Sequence, residues 1–418
     1  MLQLLKKNKN LSIISLGQLI SLLGNSIQRY ALSLYVLDVT GSAGIFSIIL
    51  TLTIIPQILF APFGGAIADR VSKKKIMVSL DFFSSAILFL FLIVMHSASS
   101  HIIFVGILVF ILAVIQSIYD PSVRASIPAV VESDHLMNAN ALISQISQIS
   151  GLVGPIAAGF LYGFFGIEAI LIMNLISFFV SALMELLLQI PFTKRPGSNH
   201  LVKEYTSDIM ESIHYLYYEK RSILFMLLIS ASFNLFLTPL YTIGLPYVEK
   251  ILFHVSNQLY GISEACIGIG ILTGSMIVTL VTKRFPLEKF HNYFYYLAGV
   301  VALMGSATLL MVGSHQTQSL PFVLFTFIGF LFAIGVSVIN ILGITYMQQE
   351  TPQDKMGRVM ALVTSFSSAL LPLGQILFGG FYNGLHQFVF PIYAVCAAIC
   401  ILLSIVVKRL LTRNVITF

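Results

Sequence analysis

Long apolar runs separated by short polar breaks recur along almost the whole chain. A hydrocarbon core of ~30 Å takes about 20 helical residues to cross, so each run is a candidate transmembrane helix. Read with the glycine, proline and charged breaks, the pattern predicts twelve spans. Six lie at about 11–37, 44–68, 76–96, 101–119, 137–163 and 167–190, and six at about 222–247, 257–282, 290–313, 319–347, 358–384 and 387–407. The longest polar stretch, 191–221, separates them, which predicts an N-terminal six-helix bundle at 1–190, a linker, and a C-terminal bundle with a short tail at 222–418. Within that linker Leu201, Tyr205, Ile209, Ile213 and Leu216 recur among Lys203, Glu204, Asp208 and Glu211, the pattern of an amphipathic helix lying on the inner membrane surface. The predicted fold class is an all-α membrane protein, with two pseudo-symmetric bundles around a central cavity.

Composition sharpens this picture. The chain is 57% hydrophobic and only 10% charged, against roughly 25% charged residues in a soluble domain. With the N-terminus placed in the cytoplasm, all of the 23 lysines and arginines except Lys250 and Arg29 fall in inner segments. Retention of positive charge on the cytoplasmic side predicts that both termini are cytoplasmic, in a plasma membrane of bacterial type. It also explains the net charge of +6 without nucleic acid. Lys6, Lys7 and Lys9 precede an apolar stretch from Leu11 to about Val36 that is longer than a signal-peptide core and lacks a small-residue cleavage site. It is read as a retained first helix. Cys266, Cys396 and Cys400 lie inside apolar runs without accompanying His or acid, so they are read as small core residues and no metal site is expected.

The two halves echo one another, as in transporters built from structural repeats. Span five carries Gly151, Gly154, Pro155, Gly159 and Gly163, and span eleven carries Pro372, Gly374, Gly379 and Gly380. The loop after span four holds Asp120, Pro121, Arg124 and Pro128, and the loop after span ten holds Pro352, Asp354, Gly357 and Arg358. Between spans two and three stands Gly64-Gly65-Ala66-Ile67-Ala68-Asp69-Arg70-Val71-Ser72-Lys73-Lys74-Lys75. This run resembles the signature loop of the major facilitator superfamily, and the resemblance extends over essentially the whole chain. Asp38-Val39-Thr40-Gly41-Ser42-Ala43, Asp120-Pro121-Ser122-Val123-Arg124 with Ala139-Asn140-Ala141, and Gly357-Arg358-Val359 resemble the branch of macrolide and multidrug exporters and enterobactin-type siderophore exporters. The Gly151 to Gly159 run is similar to the motif that this superfamily associates with exporters.

Several residues then become candidates. A carboxylate at Asp69 held against the helix start at Gly357-Arg358 would meet positive dipole charge and free N–H groups, forming a cytoplasmic gate that favours the outward-open state. Gly65, Arg70, Lys73, Asp120 and Arg124 complete this expected gate, with Lys73 and Asp120 as a second latch. Gly151, Gly154 and Gly159 strip side chains from one helix face so that a neighbour can approach, and Pro155 bends the span. Charge inside a membrane costs roughly 2.5–3.5 kcal/mol and flags function. Arg29 and Glu264 are each about 10 Å below the outer surface, so Glu264 is expected to take up protons and Arg29 to contact Glu264 or an anionic group, with snorkelling or a purely structural pair as the alternative. Asp38, near the outer surface, is a further proton candidate. Asp81 and Glu185 fall in spans that are peripheral supports in this superfamily, which assigns them a structural or inner-gate role. Span four lacks the arginine that drug exporters often place there.

No ATP-binding loop, HExxH motif or other catalytic constellation occurs in the sequence, so neither an enzyme nor a cofactor is expected. The resemblance implies a secondary exporter of amphipathic small molecules, macrolide-like or other drugs, driven by proton antiport through alternating access. A siderophore exporter of the same fold is the alternative, and a non-transporting membrane sensor or scaffold is the reading from another class. The expected partners are cargo, protons and the bilayer, with no obligate protein partner.

Overall fold

The computed structural model describes residues 8–97, 101–191, 210, 213–284, 289–310, 319–353, 355–386 and 388–412. These residues form eleven long helices and no strand. They are α1 (Lys9–Thr40), α2 (Ala43–Arg70), α3 (Lys73–Ser97), α4 (His101–Val130), α5 (Leu136–Glu185) and α6 (Arg221–Leu252). α7 (Asn257–Arg284), α8 (His291–Leu309), α9 (Ser319–Glu350), α10 (Met356–Leu385) and α11 (Phe390–Thr412) follow. Ten of the eleven are long and apolar enough to cross a membrane. α8 has lower mean hydropathy because its first turns hold His291, Asn292 and three tyrosines.

α5 crosses twice. Its 50 residues would run roughly 75 Å if straight, more than twice the ~30 Å core. It breaks at Gly166, whose φ of 75° and ψ of 177° belong to a region that essentially only glycine occupies. With that break, and with α8 counted among them, the described helices supply twelve spanning segments. Large apolar side chains face outward on many helices, among them Met276 at 80% exposed and Ile103 at 69%, whereas Asn174, Glu185, Glu249 and Ser263 are fully buried. Outward apolar and inward polar surface is the arrangement that a lipid solvent selects.

The chain forms two compact units, one of residues 1–40, 48–201 and 257–261, the other of residues 41–47, 202–256 and 262–418. In the first, α1 packs along α5, and α3 packs on α4 and α5. Leu11, Ile14, Met77, Val123, Ile127 and Ala139 form its core. The first turn of α7 belongs here because Gln258 Nε2 donates to Gly163 O at 2.6 Å and Asn257 Nδ2 donates to Asp38 Oδ2 at 3.3 Å. In the second unit α8 packs on α11 and α9, and α10 packs on α6. Lys220 Nζ donates to Glu350 at 2.8 Å, fastening the start of α6 to the end of α9. Most of the expected linker helix lies outside the described residues.

One expectation is corrected. Asp120, Pro121, Arg124 and Pro128 are not in a loop after span four, because α4 runs through both prolines to Val130. Pro121 removes the N–H that would bond the Ser117 carbonyl. Gly64 of α2 lies directly against that oxygen: a Cβ there would collide with Ser117 O and stand 3.2 Å from Pro121 Cγ. The weakened turn is thus covered by a neighbouring backbone, the condition under which proline persists in a membrane helix.

The second unit repeats the device. Pro239 frees the Leu235 carbonyl, and α6 loosens around it into π turns at Phe233–Leu237 and Leu240–Gly244. Gly374 of α10 packs onto the freed oxygen, with a Cβ position only 2.5 Å from Leu235 O and 2.8 Å from Pro239 Cγ.

Candidate functional site

α1 carries a polar stripe at helical spacing, Gln18, Ser21, Asn25 and Gln28, in which only Asn25 is not fully packed away. Polar groups on one face of a spanning helix must find partners inside the bundle. Gln28 Oε1 accepts from Asn174 Nδ2 of α5. Asn25 Nδ2 donates to Gln116 Oε1 at 3.1 Å, and Gln116 Nε2 donates to Asp120 Oδ1 at 2.5 Å. This relay borders a cavity of about 200 Å³ in the first unit, lined also by Arg29, Gln57, Ser147 and Ser150. Arg29 is half-buried, with its guanidinium 5.1 Å from the Tyr30 ring centroid, a cation–π distance.

Asp120 lines this cavity from within α4. Among the described residues its partners are Gln116 and, electrostatically, Arg124 one turn on; Lys73 is not one of them. Arg70, Arg124 and Arg358 are exposed. Gly65, Asp69 and Gly357 lie in helical backbone, but their surroundings fall outside the described residues.

The glycines of α5 do different work. A Cβ on Gly154 would collide with Ser26 Oγ of α1, and one on Gly159 would stand 2.7 Å from Gly261 Cα of α7. Both are close-approach positions. Gly151 has open space before it and lines the polar cavity instead, while Pro155 is buried.

In the second unit Glu264 of α7 is 4% exposed, and Tyr241 Oη of α6 donates to its Oε2 at 2.6 Å. Glu249, at the end of α6, is fully buried and acts electrostatically with Glu264. Ser263 Oγ donates to Glu249 Oε1 at 2.5 Å and accepts from Thr326 at 3.3 Å. The sequence reading ended span seven before Glu249. An acid directly after the apolar Leu245–Val248 and before Ile251 and Leu252 was the available signal. Gln116 and Asn25 were missed because neutral amides carry no charge to flag them.

The same unit holds a larger cavity of about 370 Å³. Met226, Met347, Met360, Phe233 and Phe290 line it together with Asn234, Asn340, Thr238, Thr364 and Ser367, and none of its described lining residues is charged. Such a surface suits a ligand with broad apolar area and scattered neutral polar groups. No group of three or more His, Cys, Asp or Glu residues comes together among the described residues. Cys396 and Cys400 are buried free thiols.

A family model described as the Major Facilitator Superfamily matches residues 14–375. The chain is similar to macrolide efflux protein A of Streptococcus pyogenes, 25% identical over 367 residues that cover 86% of each chain. It is also similar to the staphyloferrin A transporter of Staphylococcus aureus, 24% identical over 85% of each chain. Among solved structures, a bacterial homologue of the iron transporter ferroportin in its inward-facing state superposes with a TM-score of 0.69 at 15% identity, covering 96% of this chain and 98% of that one. The POT family transporter PepTSo gives 0.69 at 13% identity over 98% of both. At these identities the likeness concerns the fold.

Proposed function

The chain belongs to the major facilitator superfamily, and from that premise we propose that it is a secondary active exporter of amphipathic, macrolide-like small molecules, driven by proton antiport. The observation that carries the cargo class is the uncharged 370 Å³ cavity of methionine, phenylalanine and neutral amide and hydroxyl groups. It offers large apolar contact and orienting hydrogen bonds without a counter-charge that would demand an anion. Similarity to proteins named for macrolide efflux supports this choice. The glycine run at 151–159 supports the outward direction.

Glu264 is the proposed proton acceptor, oriented by the Tyr241 hydroxyl and set beside Glu249. The Asn25–Gln116–Asp120 relay with Arg29 is the proposed polar network of the N-terminal half, since α4 carries no arginine before Arg124. Alternating access follows from rocking of the bundles at 1–190 and 222–418 about the linker at 191–221, with Asp69, Gly357 and Arg358 as the gate. The Lys and Arg distribution supports a plasma-membrane location with both termini inside.

A second reading, export of a carboxylate-rich siderophore, is favoured by Arg29 in its polar cavity and by the relative named as a staphyloferrin A transporter. The test is accumulation of macrolides and of carboxylate-rich siderophores in cells lacking or overexpressing the protein, with and without a protonophore. Protonophore-sensitive lowering of macrolide accumulation is expected on overexpression. The same change seen for siderophores alone selects the second reading. Ligand binding without any change in accumulation would mark a sensor or scaffold and sink both.

A further inference from the structure

Apart from the cavities and the Glu264 site, the first unit buries two carboxylates for which the proposed transport cycle has no use. Asp81 of α3 is 2% exposed and Glu185 of α5 is fully buried. Each lies within reach of the other's charge, and Tyr119 of α4 lies within reach of both. Tyr119 Oη donates to Glu185 Oε1 at 2.5 Å, and Ser21 of α1 donates to Asp81 Oδ2 at 3.4 Å. Ser181, one turn before Glu185, sits beside Asp81 and Tyr119, and Gly17 of α1 leaves room for Ser181 Oγ and Glu185 Oε1. Four helices thus surround the acids with neutral hydroxyls, and among the described residues no lysine or arginine acts on either.

Glu185 Oε2 finds no hydrogen-bond partner among the described residues. Glu185 is also the last residue of α5, where the aligned peptide dipoles present negative charge that disfavours an anion. Two buried carboxylates that face each other without a cation do not both stay ionised. Burial and like charge act in the same direction, and such pairs keep one proton. The Tyr119 and Ser21 hydroxyls that donate to the pair stabilise the single remaining charge.

We propose that Asp81 and Glu185 form a resident proton-binding site, with the proton on Glu185 Oε2, whose occupancy keeps α1, α3, α4 and α5 packed together. Binding converts one carboxylate and one proton to a carboxylic acid and leaves the pair with a single negative charge. Release restores two repelling charges in the interior. The folded state then holds a proton that the unfolded state gives up, so stability falls as pH rises through the range in which the site empties.

The experiment is thermal unfolding of the full-length protein in detergent, followed by far-ultraviolet circular dichroism from neutral to alkaline pH. Infrared spectra of the same samples in H2O and D2O accompany it. The wild-type melting temperature is expected to fall with pH, and a deuterium-sensitive carboxylic-acid C=O band is expected at neutral pH. Glu185→Gln, a neutral near-isostere, is expected to lose most of the fall and to weaken the band, whose remainder belongs to other buried acids such as Glu249. Asp81→Asn, which removes the repelling partner but leaves Glu185 buried, is expected to shrink the fall and end it at lower pH, and it carries the test should Glu185→Gln fail to fold. A wild-type pH profile retained in either folded variant, or a carboxylic-acid band unchanged by Glu185→Gln, overturns the proposal. An alkaline melting temperature raised by sodium chloride but not by choline chloride also overturns it, in favour of an alkali cation.

Discussion

Gly374→Ala isolates the contact between α10 and the proline-loosened turn of α6. A Cβ at this position would stand 2.5 Å from Leu235 O, 2.8 Å from Pro239 Cγ and 2.9 Å from Asn234 O. Comfortable C···O contacts begin at about 3.3 Å, so α10 and α6 must separate by roughly 0.8 Å. Two of the three obstacles are backbone atoms, which cannot rotate away. Overpacking of this kind costs about 1–3 kcal/mol, offset by up to ~1 kcal/mol from alanine's better helix propensity. A net loss of roughly 1–2 kcal/mol would lower the melting temperature by about 2–8 °C, at ~2–4 °C per kcal/mol for a unit of this size. Gly380 lies on the same helix with open space before it, so Gly380→Ala is expected to melt at or slightly above wild type. Buried Cys396 and Cys400 belong to the same unit, which allows a thiol-reactive dye to report its unfolding directly. Equal melting of the two variants, or the reverse order, would refute the close-approach reasoning.

Glu264→Gln is expected to abolish protonophore-sensitive efflux while the protein inserts at wild-type levels, and Tyr241→Phe to leave it partly active; full efflux from Glu264→Gln would remove that residue from proton coupling. Asp120→Asn keeps an acceptor for Gln116 Nε2, whereas Asp120→Leu strands a buried donor. The leucine variant is therefore expected to unfold about 1–3 kcal/mol more easily than the asparagine variant, as measured by thermal or denaturant unfolding. The hydrogen bond to Glu350 raises the proton affinity of Lys220 above its ordinary value of 10.5. Its contribution is present below the lysine's unfolded-state titration and lost only at higher pH. Both side chains are about one-third exposed, so Lys220→Gln is expected to cost no more than ~1 kcal/mol, less in high salt; a larger, salt-insensitive loss would contradict this.

The membrane fold was legible along the chain because a bilayer imposes a one-dimensional rule. Among the described residues each predicted apolar run is helical, because such a run must satisfy its own backbone. The break between 163 and 167 was visible as well. Tertiary structure alone decided what the polar residues do. Asp120 reads as a loop residue beside Pro121 until Gly64 is seen covering the Ser117 carbonyl, which lets α4 continue to Val130. Gln116 and Asn25 become a relay only when α1 and α4 adjoin, and Glu249 becomes an interior acid only when α6 persists through its π turns. Asp81 and Glu185 stand more than a hundred residues apart in sequence. Hydropathy measures the transfer of each residue from water to lipid, whereas a buried polar group's role depends on which neighbour answers its charge or hydrogen bond, and that is set by the packing of distant helices.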